Sequence, residues 1–197
     1  SITLSNSVKT VADYGCSISD TSQNRIHDID LGKVEKIGKY AFHACNLVTR
    51  VIIPPSITEI GSQAFSVNTS ISRVDISDLS AWCRINFGDR DSVPHYTNTQ
   101  LYLNNQLITY LVIPSDITSI KQYTFSGFKS IKTINVHDNV TSIESYAFED
   151  CDDLDTLIIG SGIRTMGTDI IDCNINAVDL YCKAVVPPTC SNGDTIF

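Results

Sequence analysis

Basic residues are in short supply. Lys and Arg number 14 against 22 Asp and Glu, for a formal net charge of -8, and so acidic a surface repels nucleic-acid phosphates and anionic lipid. Long apolar runs are also missing: none approaches the ~20 residues a membrane span requires. The opening "SITLSNSVKT" lacks the basic-then-apolar layout of a secretory leader. The sequence therefore predicts no nucleic-acid partner and no membrane insertion in this segment. The seven cysteines (Cys16, Cys45, Cys83, Cys151, Cys173, Cys182, Cys190) are odd in number and contain no CxxC pair, which argues against a zinc site and against a disulfide framework. Glycine-rich phosphate loops and carboxylate pairs in a catalytic setting are absent as well.

What the chain has instead is repetition. "VTSIESYAFEDC" from Val140 returns as "VEKIGKYAF" from Val34, "ITEIGSQAF" from Ile57 and "ITSIKQYTF" from Ile117, with "LSAWCRINF" from Leu79 and "IRTMGTDII" from Ile163 as degenerate copies. The starts are 23, 22, 38, 23 and 23 residues apart, a period that implies a solenoid. On this frame Trp82 is the counterpart of Ile37 and Ile60 and belongs to the core. Phe42, Phe65, Phe87, Phe125 and Phe148 should form one internal stack.

Downstream, apolar residues recur at +3, +6 and +8 from a fixed slot, as in Val48, Val51, Ile53 and Leu154, Leu157, Ile159. The alternation is that of a half-buried strand. The slots hold Cys45, Asn68, Asn105, Phe128, Cys151 and Asn174, where an inward Asn or Cys can bond the neighbouring coil's backbone or fill space. Cys45 and Cys151 are expected buried and not bonded to each other. A bridge among Cys173, Cys182 and Cys190 is the one disulfide left open.

These motifs, "IGKYAFHAC", "IGSQAF" and "IESYAFEDC" with their following strands, resemble the BspA-like leucine-rich repeat family from Val34 to Cys182, and "YCKAVVPPTC" resembles the closing segment of such proteins. The resemblance implies a secreted or cell-surface location in a bacterium, no catalytic centre and no cofactor. It further implies adhesion to a protein or glycan ligand, on host extracellular matrix or another cell surface. The expected fold is an α/β repeat solenoid, a right-handed leucine-rich-repeat superhelix with one short parallel strand per ~23-residue coil. It would be a single domain over 1–197: an irregular N-terminal coil 1–33, regular coils 34–78, an expanded coil with a loop 79–116, regular coils 117–182 and a C-terminal segment 183–197.

The expanded coil exceeds the period by 15 residues (38 minus 23). Its "GDRDSVPHYTNTQ" reads as a surface loop over 88–100, and "LYLNNQLIT" as either a hairpin or a slot at Asn105. Chemistry has little support. The four histidines share no ligand spacing, and Cys83 with His95 lacks a third group. The acidic run Glu149, Asp150, Asp152, Asp153, Asp155 reads as a solvated edge rather than a calcium loop.

Outward strand positions remain. They form the columns Asp28, Arg50, Arg73, Tyr110, Thr133, Thr156, Asp179 and Asp30, Ile52, Asp75, Val112, Asn135, Ile158, Tyr181. From these, Arg50, Ile52, Arg73, Asp75, Tyr110, Val112, Asn135 and Tyr181 are the candidate ligand-binding residues, because Arg, Tyr and exposed apolar side chains are enriched at interfaces. The alternative is a spacer without a ligand, its surface merely suited to strands.

Overall fold

Alternating stretches such as "RVII" pair with their equivalents one period away, so each coil's strand finds its partner in the next coil. The computed structural model describes residues 1–17, 25–171 and 178–190. It contains two compact units, Ser1–Leu107 and Ile108–Phe197. In the first, successive coils contribute β1 (Ile2–Thr3) and β2 (Thr10–Val11), β3 (Asp28–Asp30) and β4 (Lys36–Ile37), β5 (Arg50–Ile53) and β6 (Glu59–Ile60), β7 (Arg73–Ile76) and β8 (Asn86–Phe87). A further strand, β9 (Gln100–Leu103), stacks on β7 in parallel, and β10 (Gln106–Leu107) closes that edge antiparallel. The second unit repeats the plan with β11 (Tyr110–Val112) and β12 (Ser119–Ile120), β13 (Thr133–Val136) and β14 (Ser142–Ile143), β15 (Thr156–Ile159) and β16 (Thr165–Met166), β17 (Asp179–Cys182) and β18 (Thr189–Cys190).

Each unit is thus a parallel β-solenoid with two strands per coil and two sheets, not the α/β coil with one strand that the sequence suggests. The middle two residues of each "EKIG" or "TEIG" motif form the second strand, Lys36–Ile37 pairing with Glu59–Ile60 in register. Among the described residues, helix is confined to α1 (Leu79–Cys83) and a 3-10 turn at Arg90–Ser92. The "YAF" segments cannot be helical because each coil places two residues in the left-handed region: Tyr40 and Ala44, Gln63 and Val67, Tyr123 and Gly127, Tyr146 and Asp150. Such residues interrupt a right-handed helix.

Their cost, on the order of 1 kcal/mol or more each for non-glycine residues, is offset by hydrogen bonds to the adjacent coil. Tyr40, Phe42 and Ala44 donate their amides to the carbonyls of Ser62, Ala64 and Ser66 at 3.2, 2.8 and 3.0 Å. Phe125 and Gly127 do the same to Ala147 and Glu149.

The core follows the inward positions. Val51, Val74, Leu101, Leu111, Ile134 and Leu157 are fully buried. Phe42 stacks on Phe65 with centroids 5.4 Å apart, and Phe125 on Phe148 at 6.0 Å. Phe87 joins neither stack, contrary to the expectation from spacing. It pairs with Ile60 across the second sheet and lies half-buried against Trp82 at 5.3 Å. The cause is α1, capped by the Asp78 carboxylate accepting from the Ala81 amide, which shifts the repeat frame downstream of Leu79. Trp82 is core, 1 % exposed, but Phe87 is the counterpart of Ile60. Gly88 carries the signal for the correct frame, because it stands where Gly38 and Gly61 do. A Cβ on Gly61 would lie 2.8 Å from the Gly38 carbonyl carbon, and one on Gly88 2.5 Å from the Ser62 nitrogen.

The slot residues behave as the repeat requires. Asn68 Nδ2 donates to the Phe42 carbonyl at 2.9 Å, Cys151 Sγ to the Phe125 carbonyl at 3.1 Å and Cys45 Sγ to the Cys16 carbonyl at 3.5 Å. Phe128 fills its slot fully buried. Cys45 and Cys151 are buried free thiols, and Cys182 and Cys190 are also free. Asn174 and Cys173 lie outside the described residues. Asn105 is a hairpin residue: Asn104 and Asn105 have φ of 50° and 65°, which is the type I′ geometry joining β9 to β10.

Replacing Gly61 by Ala drives a Cβ against backbone that cannot move alone. It should lower unfolding free energy by about 1–3 kcal/mol in a urea titration, whereas Ser62→Ala changes it far less.

Candidate functional site

The register places the candidate residues on two separate strand faces. In the first unit Asp28, Arg50, Arg73 and Gln100 share one outward column, and Asp30, Ile52, Asp75 and Tyr102 the next. Tyr110 and Val112, expected beside Arg73 and Asp75, instead begin the second unit's sheet. Gln100 and Tyr102 were missed because the expanded coil hides a complete strand. The "QLYL" alternation before "NN" was the available signal.

Asp75 is not an exposed contact. It is 6 % exposed and saturated by arginine: Oδ2 accepts from Arg50 Nε at 2.7 Å and Arg73 Nε at 2.8 Å, and Oδ1 from Arg73 Nη2 at 2.6 Å. Burial alone would raise its pKa. The hydrogen bonds from Arg73 and Arg50 outweigh that and hold the carboxyl below the usual carboxylate range, while the same bond pushes the Arg73 guanidinium up. Arg73 is held further by Asn105 Oδ1 at 3.1 Å and by the Tyr102 ring, with Cζ 3.9 Å from the centroid. Arg73 is therefore a structural clamp across β7, β9 and the hairpin turn.

The second unit's face is different in kind. Its columns read Tyr110, Thr133, Thr156, Asp179 and Val112, Asn135, Ile158, Tyr181, with a single charge among them. Tyr110, Val112 and Tyr181 are 56, 48 and 57 % exposed. Asn135 Nδ2 reaches the Tyr110 hydroxyl at 3.5 Å.

The stretch over 88–100 is not a free loop. Ser92, Val93 and Thr99 are buried, and Thr99 Oγ1 donates to the Ile71 carbonyl at 2.7 Å. The Phe65 amide donates to Asp91 O at 3.1 Å, and the Gln63 amide to Asp89 Oδ1 at 3.0 Å. The stretch closes the coil through these buried residues, while Arg90, Asp91 and the tip at Tyr96, Thr97 and Asn98 stay exposed.

Groups that could suggest chemistry are accounted for structurally. Cys83 lies in the core. Burial, with Cys16 adding to it, pushes the Cys45 thiol up to about 11, so it stays protonated at neutral pH. His137 donates from Nε2 to the Pro114 carbonyl at 2.7 Å and accepts the Asn139 amide at Nδ1. Asp152 pairs with Lys129. Among the described residues no three His, Cys, Asp or Glu side chains are grouped to hold a metal ion.

A parallel solenoid of ~23-residue coils with inward Asn and Cys slots defines a leucine-rich-repeat protein. The sequence matches the family described as "BspA type Leucine rich repeat region", in six copies over residues 1–82 and 97–183. The chain belongs to this family. Among solved structures it is similar to the pneumococcal vaccine antigen PcpA, at 14% identity and TM-score 0.42, over 89% of this chain and 64% of that one. It is also similar to a leucine-rich repeat protein from Eubacterium ventriosum ATCC 27560, at 15% identity and TM-score 0.26, over 81% and 71%. The chain thus spans less than two thirds of the antigen's chain. No curated protein matches it.

Because Arg73 holds a buried carboxylate, Arg73→Ala should cost about 1–3 kcal/mol of stability, measured by denaturant unfolding. The Asp75 carboxyl has a folded-state pKa below its unfolded value, so its stabilisation is complete above about pH 4 and is lost as pH falls through the folded value. The stability gap between wild type and Asp75→Asn should therefore be largest near neutral pH and narrow in acid.

Proposed function

We propose that this chain is a non-enzymatic binding module of a bacterial surface or secreted protein, and that the strand face of its second unit docks a protein partner. The observation that carries this reading is the concentration of exposed Tyr110, Val112 and Tyr181 on one nearly uncharged face. Rigidly held aromatic and apolar side chains lose little entropy on binding and are the usual anchors of protein interfaces. Membership of a repeat family that is typically non-catalytic supports a binding role, and the surface or secreted location follows the family. The first unit's arginines contribute less than their residue type suggests, since Arg73 is engaged by Asp75, Asn105 and Tyr102. That internal satisfaction also supports a second reading, a spacer that positions other domains.

Surface plasmon resonance against a panel of extracellular-matrix proteins separates the two. For a bound partner, Tyr110→Ala with Tyr181→Ala should weaken affinity by about 2 kcal/mol, or roughly 30-fold, while Asp152→Asn with Asp153→Asn leaves it unchanged. A panel with no binder favours the spacer. Loss of binding through the aspartates alone contradicts the docking face.

A further inference from the structure

The first unit carries a second surface feature that the docking face does not use. A groove of about 330 Å³ runs past the ends of β3, β5 and β7 to the β9–β10 turn, lined by Asp30, Arg50, Ile52, Pro54, Asp75 and Asn104 among others. We propose that it binds a carboxylated sugar, a uronic-acid-type pyranose, with the sugar carboxylate on Arg50.

Two guanidiniums share the single Asp75 carboxylate, and the sharing is unequal. Arg73 takes both Asp75 oxygens, while Arg50 touches only Oδ2, through Nε. Among the described residues the terminal Nη groups of Arg50 have no hydrogen-bond partner, and its side chain is 37% exposed. Anchored at Nε, the guanidinium presents its outer edge to the groove as a fixed two-donor fork, the geometry that matches a carboxylate. Asp75 cannot supply that carboxylate itself, since its oxygens already accept three N–H groups.

The rest of the groove selects the remainder of the ligand. Ile52 and Pro54, both half-buried, offer apolar surface for the C–H face of a sugar ring. Asn104, held at a left-handed φ of 50° by the turn, contributes an amide with no intramolecular side-chain partner among the described residues. Asp30 spends Oδ1 on the Gly32 amide at 3.0 Å and keeps Oδ2 as an acceptor for a ligand hydroxyl. That wall also decides between acidic ligands. Asp28 stands beside Arg50 in register and Asp30 lies in the next column, and the chain is -8 overall. An acidic peptide would bring further carboxylates against these two aspartates, whereas a uronate brings one carboxylate for Arg50 and hydroxyl donors for Asp30. The volume lies at the small end of ligand pockets, suited to one ring or a chain end.

The test is ligand-observed NMR titration of the whole chain with glucuronic and galacturonic acids. Glucose and galactose serve as the same rings without carboxylate, and N-acetylglutamate, with its two carboxylates and no ring, as the acidic-peptide analogue. Both controls should bind at least tenfold more weakly than the better uronate. Arg50→Gln should abolish uronate binding. Should that variant be destabilised by the loss of an Asp75 donor, Ile52→Trp fills the groove while leaving the Arg50–Asp75–Arg73 bonds intact, and it should block binding with an unchanged circular-dichroism spectrum. The proposal is overturned if neither uronate binds wild type in the millimolar range, if the folded Ile52→Trp protein still binds, or if neutral sugars bind equally well. N-acetylglutamate binding as tightly as the uronates would overturn it in favour of an acidic peptide. The outcome is independent of whether the second unit docks a protein.

Discussion

Hydrogen bonding between successive coils, in register, is the constraint on which everything else in this protein depends. A coil of about 23 residues cannot bury its own strand, so Val51 is covered only because Val74 and Ile29 lie beside it in the same sheet. The backbones must come close enough to bond, and this explains features that otherwise look unrelated. Glycine recurs at Gly38, Gly61 and Gly88, where a Cβ would strike the neighbouring backbone. Tyrosine adopts left-handed conformations at Tyr40, Tyr123 and Tyr146, and Asn and Cys turn inward to bond carbonyls one coil away.

The same constraint sets what the surface can do. Strand columns arrive at fixed spacing, so neighbouring side chains either satisfy one another or stay available. In the first unit the Arg50 and Arg73 column faces Asp75 in the adjacent one, and most of the charge is consumed there. In the second, the equivalent positions hold Tyr110, Thr133, Thr156 and Val112, Asn135, Ile158, which are uncharged and linked by the long Asn135 Nδ2 to Tyr110 hydroxyl contact at 3.5 Å. Two faces of one architecture thereby take different roles, a clamp with one free guanidinium edge and an open aromatic face.

Much of this was legible in the sequence because the repeat is periodic. The main strand of each regular coil, the slots at Cys45, Asn68 and Cys151 and the outward columns within each unit all follow from a 23-residue spacing, whereas Trp82 is buried as expected but on α1 and not at the repeat position assigned to it. What escaped did so where periodicity breaks or where the local pattern is too short to read. Two-residue strands such as Lys36–Ile37 give no alternation to detect. The five residues of α1 moved the frame, so Phe87 was assigned to a stack it does not join. β9 straddles the end of what reads as a loop and a segment read as either hairpin or slot, which put Tyr110 and Val112 in the places that Gln100 and Tyr102 occupy. Asp75 sits at an outward position yet is buried, since burial there is created by two long arginine side chains and not by the strand's own pleat.

Amide hydrogen exchange resolved by residue addresses the coil-to-coil account most directly. The amides of Phe42, Ala44, Phe125 and Phe148 belong to turn segments but donate to carbonyls of adjacent coils, so they should be protected to the same degree as the strand amides of Val51 and Ile134. Turn amides exchanging at unprotected rates while the strands stay protected would contradict it.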